Sequence, residues 1–426
     1  MKRSESKGMM LLAESKRQPE VNIGMVGHVD HGKTTLTKAL SGTWTDTHSE
    51  ERKRGISIKL GYADTTFYCT GSGDYYAKGK HPEGKKDSKN DLLRVVSFVD
   101  APGHETLMAV MISGASIMDG ALLLISATEK CPQPQTREHL AALQTAGINN
   151  IVIVQNKIDI VSEERARESY NEIKQFVEGT IAEKAPIIPI SAHHDVNLDI
   201  LIKAIEHTIP TPDRTEEEVG LMYVARSFDT NRPGARPGDL SGGIIGGSIV
   251  EGSFSVGDKI TIAPGRRIKE GNKTRWEPLE TYIESIKGGG LNLETAHAGG
   301  LCGIATPLDP VTTKADELSG QVMAKQGELP PIWETLELDL ELLEKMVAGG
   351  DGDAEVVRPL SMNEMLMINS ATATSVGTVV KKGKVSKIAL RLPICAKVGS
   401  RITLSRRVGS RFLRVSGHYG RHRLYR

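Results

Sequence analysis

The stretch VGHVDHGKTTL, Val26–Leu36, constrains the fold more than any other part of the chain. It carries the pattern G-x-x-x-x-G-K-T, from Gly27 through Gly32, Lys33 and Thr34. Glycine allows such a loop to aim several backbone N–H groups at one anion. The lysine then reaches the outer phosphates of a nucleotide, and the threonine hydroxyl binds Mg2+. That use requires a strand before the loop and a helix after it. VNIGMVG (Val21–Gly27) is an apolar run suited to a buried parallel strand, and KTTLTKALSG (Lys33–Gly42) reads as a short helix stopped by glycine. The loop therefore predicts a phosphate site made by Asp30, His31, Gly32, Lys33, Thr34 and Thr35.

The same alternation continues downstream. ALLLISA (Ala121–Ala127), NIVIVQNK (Asn150–Lys157) and IIPISA (Ile187–Ala192) read as strands. Helical patterns lie around Gln135–Gly147 and Asn197–Ile209. Strands joined by crossover helices imply a mostly parallel sheet with helices on both faces. IPTPDRTEEE (Ile209–Glu218) is proline-rich and polar, a linker by composition. Beyond it, short β segments are punctuated by glycine, and a second polar break falls at GELPPIWE (Gly327–Glu334). A chain of 426 residues is too long for one ordinary core. The expectation is an α/β P-loop domain over 21–209 and two small β domains, each a barrel or a sandwich, over 210–329 and 330–426, after a flexible tail over 1–20.

The nucleotide base is specified by NKID (Asn156–Asp159), at the strand end where open α/β sheets bind ligands. A carboxylate at Asp159 accepts both N–H donors of the guanine edge, which adenine lacks. A site built on such bonds discriminates by roughly ten-thousandfold. Asn156 and Lys157 would brace the loop and cover the base. After the next strand, the Ser191 and Ala192 amides are placed to meet the guanine carbonyl, with His193 beside them. DAPGH (Asp100–His104) ends the strand VVSFVD. There Asp100 would hold Mg2+ through water, the Gly103 amide would sense the γ-phosphate, and His104 would orient the attacking water. RGISIKLGYAD (Arg54–Asp64) lies between these motifs and offers the Ser57 hydroxyl to the metal. Segments of this kind are ordered by the γ-phosphate and released on hydrolysis.

Taken in order, GHVDHGKTTL, RGISIKLGYAD, DAPGHETLMAVMISGASIMDGALLLISA, CPQPQTREHL and NKID resemble the translational GTPases. More narrowly they resemble the gamma subunit of archaeal and eukaryotic translation initiation factor two. VARSFDTNRPG, GGIIGGSIVEGSFSVGDKITIAPG, TPLDPVTTKADELSGQV and GELPPIW extend the resemblance over nearly the whole chain beyond the tail. It implies an α/β P-loop GTPase domain followed by two β-barrel domains, and a GTPase that cycles between GTP and GDP. It also implies a heterotrimer with alpha and beta subunits, and delivery of initiator methionyl-tRNA to the small ribosomal subunit. By position, Thr34 and Ser57 would ligate Mg2+, Asp30 and the Gly55 carbonyl would lie near a second metal, and Tyr62 would meet the tRNA end. Elongation factors, the selenocysteine-specific branch included, share the nucleotide motifs but not the wording of KLGYAD and CPQPQTREHL. A scaffold that had lost hydrolysis would lack Lys33, Asp100 or His104, and all three are present.

Family members often carry a zinc knuckle of two cysteine pairs before DAPGH. Here Tyr68–Asp91 keeps only Cys69, with His81 the other soft ligand, so no zinc is expected and a flexible solvated loop is. Cys69, Cys131, Cys302 and Cys395 show no paired spacing, which fits a reducing compartment. Without an apolar run long enough for a bilayer or a signal-peptide core, a cytoplasmic protein with no membrane partner is expected. After Glu364 no Asp or Glu follows, while arginines recur to Arg426. Arg406 and Arg407, just after RITLS, are thus candidates for contacting tRNA phosphates.

Overall fold

The computed structural model describes residues 18–45, 59–104, 107–214, 219–232, 234, 236, 241–271, 273–339, 345–346, 355–356, 359–383, 385–408 and 411–416. Its first sheet has seven strands in the order β3-β2-β4-β1-β5-β6-β7. These are β1 (Val21–Gly27), β2 (Gly61–Cys69), β3 (Tyr75–Ala77), β4 (Leu92–Asp100), β5 (Gly120–Ser126), β6 (Ile151–Asn156) and β7 (Ile187–Pro189). β4, β1, β5, β6 and β7 pair in parallel, and β2 and β3 add an antiparallel edge. Helices α1 (Lys33–Ser41), α2 (Met108–Ala115), α3 (Pro134–Ala146), α4 (Glu163–Val177) and α5 (Leu198–Thr208) connect them. All seven residues of β1 and of β5 are buried, as strands covered on both faces must be. One core, around Leu123, Met111 and Ile153, lies on one face, and another, around Leu122, Leu36 and Ile202, lies on the other.

Local chemistry explains the element ends. α1 stops at Gly42, whose φ of 75° is the left-handed conformation favoured by glycine and whose amide closes on the Lys38 carbonyl. α4 starts at Ser162, which accepts the Arg165 amide and precedes Glu163 and Glu164 in the first turn. The strand expected over Ile187–Ala192 ends at Pro189, and Ser191 forms an isolated bridge with Val196 instead.

Two antiparallel sheets follow. The second contains β8 (Leu221–Phe228), β9 (Ile244–Ser255), β10 (Lys259–Glu270), β11 (Lys273–Tyr282), β12 (Ser285–Gly288), β13 (Leu291–Leu293), β14 (Thr295–Ala305) and β15 (Val322–Lys325). Their order is β11-β10-β15-β8-β9-β14-β12-β13, around a core that includes Met222, Phe254 and Ile304. The third holds β16 (Ile332–Asp339), with a two-stranded ribbon β17 (Lys345–Met346) and β18 (Glu355–Val356) beside it in sequence. It continues with β19 (Met365–Ser370), β20 (Ala373–Lys381), β21 (Val385–Cys395), β22 (Ile402–Val408) and β23 (Arg411–Ser416), ordered β16-β21-β20-β19-β22-β23. Among the described residues no helix is long and apolar enough to cross a membrane.

Two expectations are corrected here. The Tyr68–Asp91 insertion is not a featureless loop. β3 pairs with β2, Tyr68 stacks on Tyr76 with centroids 5.0 Å apart, and His81 packs on Tyr76 at 4.9 Å. Thr70, Ser72 and Asp74 close its turn through side-chain hydrogen bonds. The aromatic residues, outnumbered by glycine and lysine in composition, supply the packing. Nor is the expected tail loose at its C-terminal end. Gln18 is buried and exchanges two hydrogen bonds with the His297 backbone, donating at 2.6 Å and accepting at 2.9 Å.

Candidate functional site

The loop after β1 curls because two residues take left-handed backbone: Asp30 at φ 61° and Gly32 at φ 90°. Gly32 has a second reason to be glycine, since a Cβ there would lie 2.4 Å from Asn156 Nδ2. The loop feeds α1, whose first turn contains no acidic residue and whose cap carries no side chain. The first amides of any helix lack intrahelical acceptors, so this end offers donors and positive potential to an anion. The Lys33 ammonium is folded over the loop, donating to the Gly27 carbonyl at 2.9 Å and the His28 carbonyl at 2.8 Å. Gly103 approaches from DAPGH so closely that a Cβ would sit 2.5 Å from Lys33 Nζ and 2.9 Å from the Val29 amide nitrogen. Phosphate loop, lysine and DAPGH therefore converge on one point. His104 follows, half-buried, with its carbonyl accepting the Leu107 amide.

Asp100 ends β4 almost wholly buried. Its Oδ2 accepts the Thr34 hydroxyl at 2.8 Å and the Thr45 hydroxyl at 2.6 Å. A carboxylate and a hydroxyl at touching distance are the hard oxygen donors that Mg2+ prefers, so the residues fit that cation. Asp30 is exposed in the loop, and Thr35 follows Thr34 in the first turn of α1. Ser57 and Gly55 lie outside the described residues.

Asn156 is the brace of the site. Its Nδ2 donates to the His31 carbonyl at 2.9 Å, and its Oδ1 accepts the Ala192 amide at 3.1 Å. One amide side chain thus fastens the phosphate loop to both base-side loops. Lys157 adopts φ 65° and turns the chain into the short 3-10 segment Ile158–Ile160, which presents Asp159. The Ser191 hydroxyl, together with His194 Nε2 at 3.6 Å, holds the Asp159 carboxyl below its usual range. It is therefore an ionised acceptor at neutral pH. His193 is exposed and packs edge-on against His194.

Several expectations change at this level. The Ser191 and Ala192 amides both have internal acceptors, Val196 O at 3.3 Å and Asn156 Oδ1, so in this structure neither is offered to a base carbonyl. Ser191 instead acts through its hydroxyl. The His31 side chain turns inward, where its Nδ1 lies 2.9 Å from the Leu124 carbonyl, so only its backbone faces the loop. Tyr62 is seated in the seam with the second sheet. Its hydroxyl is buried near Arg226 and Asp316, which does not present it to a tRNA end. Arg406 is a buried structural arginine, donating to Glu364 at 2.6 and 3.2 Å and to the Pro359 carbonyl at 2.9 Å. Glu364, the last acid in the chain, neutralises the arginine expected to meet phosphate. The Arg407 side chain lies outside the described residues.

Two further contributors left no signal in the sequence. His139 of α3 accepts the Gly27 amide at 2.8 Å from beneath the loop. Burial pushes His139 down to about 3 and His31 down to about 4, so neither ring is charged under the anion cradle at neutral pH. Thr45 is a lone threonine in no recognised motif.

A parallel sheet with a phosphate loop, a buried carboxylate beside the loop threonine and an ionised carboxylate after a strand end, followed by two antiparallel sheets, fits the class of translational GTPases. Residues 18–211 match the family model for the elongation factor Tu GTP binding domain, and residues 334–418 match that for initiation factor eIF2 gamma, C terminal. The chain is 55% identical over 405 residues to translation initiation factor 2 subunit gamma of Methanocaldococcus jannaschii, covering 95% of this chain and 98% of that one. It is 52% identical over 406 residues to the same subunit of Halobacterium salinarum, covering 94% and 97%. Among solved structures it is similar to a bacterial selenocysteine-specific elongation factor, EF-Sec, with a TM-score of 0.70 and 23% identity over 93% of this chain and 58% of that one. It is likewise similar to elongation factor SelB of Methanococcus maripaludis, with a TM-score of 0.69 and 21% identity over 94% and 78%. Those two likenesses concern the fold alone. The chain belongs to the translation initiation factor 2 gamma-subunit family and is a GTP-binding translational GTPase.

Proposed function

We propose that the protein, with GTP and Mg2+ bound, carries initiator methionyl-tRNA to the small ribosomal subunit and releases it after hydrolysis. It would do so in a heterotrimer with alpha and beta subunits, using units taken as residues 21–209, 210–329 and 330–426. The observation that carries this reading is the likeness to gamma subunits, which runs over 95% of the chain rather than over the nucleotide unit alone.

The chain's own residues account for the chemistry. Asp159 accepts from guanine N1 and N2, while Lys157 covers the base. Lys33 leaves its two loop carbonyls for the β- and γ-phosphates. Thr34, and Asp100 through water, would hold Mg2+, which when bound would neutralise charge on the phosphate oxygens. The Gly103 amide donates to the γ-phosphate. His104 orients a water whose oxygen bonds to the γ-phosphorus as the bond to the β–γ bridging oxygen breaks. The products are GDP and inorganic phosphate. No described motif supplies an arginine to the transferring phosphoryl group, so turnover by the chain alone is slow and partner stimulation is worth roughly a thousandfold or more.

The test compares initiator and elongator methionyl-tRNA binding by the assembled factor, with a non-hydrolysable GTP analogue and with GDP. Initiator tRNA should bind at least about fivefold more tightly in the GTP-analogue state, within the usual range of coupling energies. Equal affinity in both nucleotide states, or a preference for elongator tRNA, would overturn the reading.

A further inference from the structure

We infer that Thr45 is a positioning residue for the metal carboxylate, holding Asp100 in the orientation that the Mg2+ site needs. Three contacts converge to make this arrangement. The Thr45 hydroxyl donates to Asp100 Oδ2 at 2.6 Å, and the Thr34 hydroxyl donates to the same oxygen at 2.8 Å. Thr45 is itself buried, at 8% exposure, so this donor is shielded from competing water. Gly61, the residue paired with Asp100 across β2 and β4, makes room for it: a Cβ on Gly61 would lie 2.6 Å from Thr45 Cβ.

The two hydroxyls have different duties. Thr34 is the first-turn threonine of the phosphate loop, and its oxygen keeps lone pairs for a cation while its proton lies on Asp100. Thr45 belongs to no phosphate-binding motif. The terminal torsion of a carboxylate is broad, so removing a donor from Asp100 lets it rotate more freely. A second donor on the same oxygen settles the plane in advance, and less ordering then remains to be done when the metal and its waters arrive. Thr45 also immediately precedes residues 46–58, which contain Gly55 and Ser57. The chain entering that stretch is thereby tied to the metal carboxylate.

This inference rests on Thr34 and Asp100 forming the Mg2+ site, and the experiment separates the two claims. Release of a fluorescent GDP from the full chain is followed as Mg2+ is titrated, for wild type, Thr45→Val, Thr45→Ser and Asp100→Asn. Thr45→Val should raise the Mg2+ concentration for half-maximal slowing of release by about tenfold, the usual worth of a hydrogen bond to a charged group. Release in excess EDTA should be unchanged, and Thr45→Ser should stay within about twofold of wild type, since it keeps the hydroxyl. A wild-type Mg2+ midpoint for Thr45→Val overturns the inference. So does a Thr45→Ser defect equal to that of Thr45→Val, or a Thr45→Val acceleration of the same size in EDTA, because either marks a packing role. An unchanged midpoint for Asp100→Asn overturns the metal-site assignment, and the inference with it.

Discussion

The nucleotide-binding unit meets its two β units in different ways. Toward the second sheet the seam is polar and rich in charge. Asp316 of the second unit takes Lys59 across the seam and, within its own unit, Arg226 Nε at 2.8 Å and the Ser227 amide at 3.1 Å, while Arg226 crosses to the Leu60 carbonyl at 3.2 Å. Asn22 adds a bond to the Ser248 hydroxyl at 2.9 Å. Toward the third sheet the polar contacts include Ser113 to the Thr372 carbonyl at 2.8 Å and Arg401 to the Thr145 carbonyl at 3.3 Å. Where the nucleotide unit, the second sheet and the third sheet meet lies a cavity of about 200 Å³, lined among others by Ile112, Ala146, Tyr223, Asn369 and Cys395. Directional charge pairs specify one placement of two surfaces, whereas a void forfeits the dispersion contacts its walls would otherwise make. The specified seam is also the one that reaches Lys59 and Leu60, at the end of the 46–58 stretch.

The contrast can be broken or sharpened by measurement. The scale is set by an ion pair inside one unit. Arg406→Ala leaves Glu364 without its bidentate partner in the third sheet and should cost about 3 kcal/mol in denaturant unfolding. It should do so without altering GTP affinity; a loss below about 0.5 kcal/mol would mean that the pair is mere decoration. Across the seam, Asp316→Ala should cost about 2 kcal/mol, less because Lys59 and Arg226 keep some access to water. A negligible loss would erase the distinction between the two seams.

Acid should act on the same seam. Burial alone would raise the Asp316 carboxyl, but hydrogen bonds from Lys59 and Arg226 outweigh it and hold the group below the ordinary carboxylate range. Its stabilising contribution is therefore complete above the unfolded carboxylate value and is lost as pH falls through the folded one. The difference in unfolding free energy between wild type and Asp316→Asn should shrink over that acid range, and a constant difference would remove Asp316 from the pH response. The residues lining the cavity include no carboxylate, so none of them adds a matching response to acid. The smallest effect is expected there: Ala146→Val fills part of the void and should raise stability by about 1 kcal/mol, read as a higher unfolding midpoint. A fall would show that this seam is as closely fitted as the charged one.

Much of the nucleotide unit was readable in the chain because its chemistry is local. The run VNIGMVG must be buried on both faces, Gly32 must be glycine, Lys33 must follow it, and NKID must end a strand. Each of these demands falls on neighbouring residues, so spacing alone carries it. Alternation and glycine breaks likewise announced β-rich units after Ile209, and the structure places an eight-stranded and a six-stranded antiparallel sheet there. The ordered hairpin Tyr68–Asp91 was missed because composition weighs glycine and lysine, while its packing comes from Tyr68 meeting Tyr76 across two strands.

What the sequence determined by itself was therefore the glycine-shaped loop between a buried strand and a helix, the NKID turn after a strand, and a parallel sheet to carry them. Only the tertiary structure decided how distant groups are spent. It gave Arg406 to Glu364, 42 residues away, and so took it from any phosphate. It gave Thr45 to Asp100, 55 residues away, and Asp316 to Lys59, 257 residues away. Partners so far apart leave no periodicity or spacing to read, because a hydrogen bond or ion pair depends on distance in space and burial, and both exist only once the chain has folded.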